Sequence, residues 1–215
     1  MNVVQTWVFN VRSNPSTLWE AIVSVTAPGR AFQAVDVAYI AVFAALIAAL
    51  AIVPAFNIGP IPITLQTLGV SLAGLCLGPL RGFLAVLLYL VVGAAGLPVF
   101  AKGGAGLGSF AGPTGGYLIS FPLAAAVAGL VALWAVRRGL SGLTPVLFFL
   151  GTLAARYLVI LPLGVLGLMW ALPADFGKAL AIDMPFWISD ALKSVVAVLL
   201  AYAVHRAFPR LLVQR

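Results

Sequence analysis

The chain has 215 residues, of which 63% are hydrophobic and 8% charged. Soluble domains carry about 25% charged residues, so this chain cannot cover a water-facing surface of ordinary size, and a soluble globular fold is excluded. The net charge of +7 comes from 12 Lys and Arg against 5 Asp and Glu. The basic residues fall mostly between apolar runs, which is the pattern of membrane-protein loops and not of a nucleic-acid-binding face.

Residues 1–35 lack the order of a signal peptide, a basic stretch followed by an apolar core and a small-residue cleavage site. Pro15, Pro28 and Gly29 interrupt them. They read as a cytoplasmic or interfacial extension, with Trp7, Phe9, Leu18, Trp19, Ile22 and Val23 as the side chains suited to an interface.

A helix needs about 20 mostly apolar residues to cross about 30 Å of hydrocarbon. Six segments meet that need: 36–56, 61–78, 82–100, 115–136, 145–172 with an interruption at Pro162, and 184–206. The expected fold is an all-α integral membrane bundle of six transmembrane helices over 36–208, with residues 209–215 as a cytoplasmic tail. Pro79, Leu80, Arg81 and Gly82 make the second and third segments a tight antiparallel hairpin. The glycine-rich stretch 101–116, AKGGAGLGSFAGPTGG, is nearly uncharged, unlike a solvated linker. That points to a loop packed over a membrane cavity, where irregular backbone is tolerated at depth.

Basic residues set the orientation. With a cytoplasmic amino terminus, Arg12, Arg30, Arg81, Arg137, Arg138, Arg206, Arg210 and Arg215 face the cytoplasm, and Lys102 and Lys178 face outside. Both termini are then cytoplasmic.

Ionisable groups within a bilayer are costly and mark functional sites. Asp190 and Lys193 lie three positions apart on one face of the last segment. Asp190 is placed about 10 Å below the outer helix end and Lys193 one turn deeper. A structural ion pair and a polar ligand site open to the exterior both fit them. Arg156, near the membrane middle, either pairs with backbone carbonyls, lines a wet crevice or reaches the ligand. Asp190, Lys193 and Arg156 sum to +1, an excess that a bound carboxylate would neutralise.

The remaining chemistry-bearing residues point to no enzyme. His205, the single histidine, reads as solvated at the cytoplasmic interface. One His and one Cys without clustered carboxylates make no metal site, and Cys76 reads as a small core residue. No serine stands in a nucleophile-elbow context. No phosphate-binding loop is present, so any use of ATP comes through a partner. On the first segment Ala41, Ala45 and Ala49 form a small-residue face that permits close helix approach, either inside the bundle or to a partner.

Several stretches then carry a family likeness. Ile61-Pro62-Ile63-Thr64-Leu65-Gln66-Thr67 followed by Gly69, Gly93-Ala94-Ala95-Gly96-Leu97-Pro98-Val99-Phe100, Gly112-Pro113-Thr114-Gly115-Gly116-Tyr117 and Asp190-Ala191-Leu192-Lys193 resemble, in order, segments of the BioY biotin transporters. The resemblance covers roughly 36–208. It implies an S component of an energy-coupling factor transporter in the bacterial cell membrane, which captures biotin from outside. It also implies a transmembrane T component and ATPase subunits as partners, with the Ala41, Ala45 and Ala49 face as the docking surface. ATP then acts only through those partners, and biotin is cargo, not cofactor.

In that reading Asp190 accepts ureido N–H bonds, and Lys193 meets either the ureido carbonyl or the carboxylate. The family match places Gly103, Gly104 and the loop to Ser109, with the segment around Thr64, over the ligand. The loop lacks a polar Asn found in some relatives, and Ser109 is the side chain available to replace it. Tyr89, Tyr117 and Trp187 are wall residues by position only, and ordinary packing or interface anchoring is the plainer role for each. The alternatives are an S component for another small vitamin, an intramembrane enzyme, for which no nucleophile–base pair is present, and a passive channel, for which too few polar residues run along the helices.

Overall fold

The computed structural model describes residues 33–53, 56–58 and 60–213. The expected extension over 1–35 therefore lies, up to residue 32, outside the described residues. From Ala34 the chain forms one helical body, in which five helices are long and apolar enough to cross a membrane.

Helix α1 spans Ala34–Ile52. Its 19 residues rise about 28 Å, close to the hydrocarbon thickness. Asp36, Ile40, Ala44, Ile47 and Ala51 are buried, a stripe at the three-to-four-residue spacing of one helix face. After α1 the chain forms an antiparallel strand pair, β1 (Phe56–Ile58) with β2 (Ile61–Ile63), in which Ile58 pairs with Ile61 and Asn57 with Pro62. The expected first and second helices ran through these residues to Phe56 and from Ile61. Pro60 and Pro62 are the physical reason they do not: each lacks the N–H that a helix requires, and the alternating β-branched Ile61 and Ile63 suit a short edge strand.

Helix α2 spans Gln66–Ala94 and is broken at Gly78, whose φ of 79° and ψ of −176° interrupt the helical backbone ahead of Pro79. The two arms, 66–77 and 79–94, fold back on each other. A Cβ on Gly82 would lie 2.9 Å from both the Ala73 oxygen and the Gly74 Cα, although eight residues of straight helix would separate Gly82 from Gly74 by about 12 Å. This break divides the five long helices into six rods. The arm 66–77 rises only about 18 Å, short of the hydrocarbon core. The irregular segment before it is thus the backbone that must be shielded by protein or face a cavity.

A short 3₁₀ turn (Ala101–Gly103) and helix α3 (Gly108–Ala111) order the glycine-rich loop. Helix α4 (Gly115–Arg137) packs into the α2 hairpin with backbone-to-backbone contact. A Cβ on Gly74 would collide with the Ala125 carbonyl, and one on Gly129 would lie 2.5 Å from the carbonyl carbon of Gly78. In lipid, where apolar surface gives no preference for protein over solvent, such small-residue contacts are what hold helices together.

Helix α5 (Thr144–Ala155) continues through a widened π turn (156–160) into α6 (Leu161–Ala171). The turn is closed by the Leu161 N–H donating to the Arg156 oxygen, and it relieves the clash that Pro162 would make with the preceding turn of a regular α-helix. The interruption expected at Pro162 is thus a local widening centred just before it, and it begins at Arg156. Helix α7 (Phe176–Ala207) is capped by the Asp175 side chain, which accepts from the Lys178 N–H at 2.8 Å. It starts two turns earlier than the expected Met184, so Asp190 lies about 21 Å along the helix and not about 10 Å.

Past Pro209, helix α8 (Arg210–Val213) packs back on the bundle. The Arg81 guanidinium donates to the Leu211 oxygen at 2.9 Å and pairs with Asp36 at 3.5 Å. The backbone at Leu211 is therefore docked against the bundle. Arg81, read from sequence as a loop cation, is 6% exposed.

Candidate substrate-binding site

Three buried charges, Arg156, Asp183 and Asp190, and the half-buried Lys193 converge where α7 meets the widened turn of α5–α6. On α7, Asp183 and Asp190 lie seven residues apart, two turns along one face, and Lys193 follows on the next turn. Arg156 sits between the carboxylates. Its Nη2 donates to Asp183 Oδ2 at 2.6 Å, and its Nε lies 2.8 Å from Asp190 Oδ2 as an ion pair. Asp190 Oδ1 accepts from Lys193 Nζ at 3.0 Å and from the Thr67 hydroxyl of α2 at 2.8 Å. Asp183 is fully buried and also accepts from the Tyr117 hydroxyl and from Trp187 Nε1, each at 2.8 Å. Gly164 makes room for this arrangement, because a Cβ there would collide with the Tyr117 ring.

The charges cancel. Arg156 and Lys193 face Asp183 and Asp190, so the sum of +1 read from Asp190, Lys193 and Arg156 is corrected to zero. The missing carboxylate is Asp183, which falls one residue ahead of the last expected helix. The signal that finds it is the seven-residue spacing to Asp190. Arg156 Nη1 is buried without a hydrogen-bond partner, but the cluster as a whole is neutral and needs no bound anion to balance its charge.

A cavity of about 230 Å³ opens beside this cluster. Asp190 and Lys193 form its polar floor, and Thr64, Tyr117, Phe121 and Phe186 its walls. Pro60 and Lys102, both exposed, belong to its rim. Strand β2 and the two ends of the 101–114 loop, at Ala101, Lys102 and Thr114, thus border the cavity. Arg156 lies behind Asp190, beside a satellite space of about 10 Å³ bordered also by Thr152 and Ser194, room for about one water.

Of the residues singled out from sequence, Asp190, Lys193, Thr64 and Tyr117 line the cavity, and Arg156 touches it through Asp190. Gly103, Gly104 and Ser109 do not line it, whereas their neighbours Ala101 and Lys102 do. Gly103, with φ 72°, turns away so that an added Cβ would meet nothing within 4 Å, and the Ser109 hydroxyl donates to the Ala105 oxygen at 3.2 Å. Tyr89 is buried behind the wall, where its hydroxyl accepts from Gln66 and donates to the Val99 oxygen, tying α2 to the loop. Trp187 stands behind the cluster, edge-on to Tyr157. Gln66, Thr67 and Lys102 are cavity residues that the sequence reading did not assign to the site.

His205 is also placed differently. It is fully buried, with Nε2 2.9 Å from the Leu75 oxygen and its ring against Phe148. The reason is helical spacing: Ala197, Ala201 and His205 share the packed face of α7. The face of α1 carrying Ala41, Ala45 and Ala49 is exposed, while Ala44 and Ile47 point inward.

An apolar helical body that sets a cluster of four opposed charges beside a polar-floored cavity has the architecture of a membrane-embedded substrate-binding protein. Residues 22–210 match the BioY family, and the chain belongs to that family. The match extends the likeness read from its motifs at both ends. The chain is 41% identical over 179 residues to the biotin transporter BioY of Rhizobium etli, covering 82% of this chain and 96% of that protein. It is 42% identical over 191 residues to the biotin transporter BioY of Rhodobacter capsulatus, covering 84% and 98%. Its fold matches the crystal structure of the S component for biotin from an ECF-type ABC transporter, with a TM-score of 0.74 at 26% identity, over 80% of this chain and 90% of that one. The family is one of transporters and not of enzymes, and the chain is a multi-pass membrane protein.

Proposed function

We propose that this chain is the S component of a biotin uptake system, taking biotin from the exterior and delivering it to the cytoplasm when coupled to an ATP-driven module. The observation that carries the reading is the fixed Asp190 carboxylate at the floor of an apolar-walled cavity, in a chain whose relatives are biotin transporters. An ionised carboxylate offers about four lone-pair sites. Thr67, Lys193 and Arg156 approach three of them, which leaves Asp190 one acceptor for a ureido N–H. The Lys193 ammonium has three protons, so after its bond to Asp190 it retains donors for the ureido carbonyl. Tyr117, Phe121 and Phe186 supply apolar surface for the bicycle.

The loop over 101–114 and the segment around Thr64 then gate the site from outside, in the orientation set by the basic residues. The exposed Ala41, Ala45 and Ala49 face of α1 suits close approach of a transmembrane T component. Energy comes from ATPase subunits of that module, since the sequence carries no phosphate-binding loop. Binding of radiolabelled biotin to purified protein tests the reading. Saturable, one-to-one binding in the nanomolar to micromolar range is expected, and folded protein that binds no biotin would overturn it. Another vitamin that stabilises the protein in a thermal-shift panel where biotin does not would reassign the substrate.

A further inference from the structure

The charge-balanced floor poses a question about the other end of the ligand. Biotin is bipolar, with a ureido ring at one end and a carboxylate at the other. At the floor Arg156 already bridges Asp183 and Asp190, and Lys193 is paired with Asp190. A ligand carboxylate placed there would add an uncompensated negative charge to a buried neutral cluster, which is strongly unfavourable.

The rim offers a different environment. Lys102 borders the same cavity and is exposed, with no hydrogen-bond or ion-pair partner among the described residues. Its backbone has φ 60°, making it the one non-glycine among the described residues with positive φ. A lysine rarely adopts this left-handed conformation, and it persists only where the surrounding structure enforces it. Here three backbone bonds enforce it: Phe100 N–H to the Gly104 oxygen, Gly103 N–H to the Phe100 oxygen, and Gly104 N–H to the Ala101 oxygen. The loop thus holds an unpaired cation, in a strained conformation, at the open end of the cavity.

We propose that Lys102 reads the ligand carboxylate at the rim, while Asp190 and Lys193 hold the ureido ring at the floor. The inference rests on the biotin reading above. It assigns a direction to the ligand, ureido end inward and carboxylate outward. A carboxylate at the rim keeps part of its hydration and gains a charge-assisted bond. Lys102 thereby selects for the free acid over neutral derivatives.

The test compares biotin with biotinamide, in which a carboxamide replaces the carboxylate, by titrating detergent-solubilised full-length protein. The unaltered protein is expected to prefer biotin by about tenfold, the low end for one hydrogen bond to a charged group. Lys102→Gln is expected to bring that ratio close to one, and Lys102→Arg to restore most of it. Lys193→Gln is expected to weaken both ligands together and keep the ratio. A ratio that survives in Lys102→Gln but collapses in Lys193→Gln would put the carboxylate at the floor and overturn the proposal. Equal affinity of the unaltered protein for both ligands would overturn it as well. Failure of the unaltered protein to bind biotin at all would instead remove the functional reading beneath it.

Discussion

Asp183 and Asp190 carry the same charge and lie on the same helix face, yet their surroundings give them different work. Asp183 is enclosed by Tyr117, Arg156 and Trp187 and does not line the cavity. Asp190 faces the cavity with one acceptor site to spare. Asp183→Asn leaves a buried guanidinium short of a counter-charge, and breaking such a pair costs about 3–5 kcal/mol. A lowered thermal midpoint is therefore expected, with biotin affinity falling because Arg156 then redistributes onto Asp190. An unchanged midpoint would mean that Asp183 contributes no net stability. Asp190→Asn is expected to abolish high-affinity biotin binding while the protein still inserts in the membrane, and retained affinity would make the Asp190–Lys193 pair purely structural. Asp190 and Lys193 are legible in sequence because two charges within an apolar run stand out. Asp183 is less so, because it lies near the edge of the apolar run, and only the added turns of α7 bring it into the bundle.

At the scale of elements, apolar count located the helices well but could not tell a strand from a helical turn over three residues. Ile61–Ile63 satisfies both patterns, and prolines at 60 and 62 decide for the strand. The hairpin was legible as a turn at Pro79–Gly82, and the break itself falls at Gly78; its consequence is tertiary, because it lets α4 press against the hairpin at Gly74 and Gly129. Gly78→Ala is expected to cost about 1–3 kcal/mol, because φ 79° with ψ −176° is a backbone region essentially reserved for glycine. Gly74→Val has no space against the Ala125 carbonyl, so it is expected to cost at least about 1–3 kcal/mol through forced separation of α2 and α4. Thermal unfolding in detergent checks both, and an unaltered midpoint for Gly74→Val would contradict the backbone contact.

At the scale of the molecule, the bundle has a cavity end, where the strand pair and the 101–114 loop lie, and an opposite end with Gly78, Arg138 and the docked α8. Cys76 is buried, so introduced cysteines report cleanly. A membrane-impermeant maleimide is expected to label Lys102→Cys from the exterior and Arg138→Cys only after permeabilisation; the reverse pattern would invert the orientation. The exposed α1 face gives a second outcome. Replacing Ala41 and Ala45 together by Leu is expected to leave biotin binding intact and to reduce ATP-driven uptake in cells supplying the T component and ATPases. Loss of binding would contradict the exposure of that face.

Sequence alone determined that the chain lives in lipid, where its apolar runs lie and which charges enter them, because hydropathy and composition are local properties of successive residues. It also carried the family's motifs, which depend on identity and spacing only. Tertiary structure decided the rest. The pairing of Thr67 with Asp190 joins residues 123 positions apart, and the neutrality of the cluster depends on Arg156 reaching two carboxylates on another helix. The turn that presents Lys102 in place of its glycine neighbours depends on backbone bonds within the folded loop. The burial of His205 depends on the carbonyl of Leu75 lying opposite it. Each of these is set by which elements pack together, and a linear pattern of residues does not contain that information.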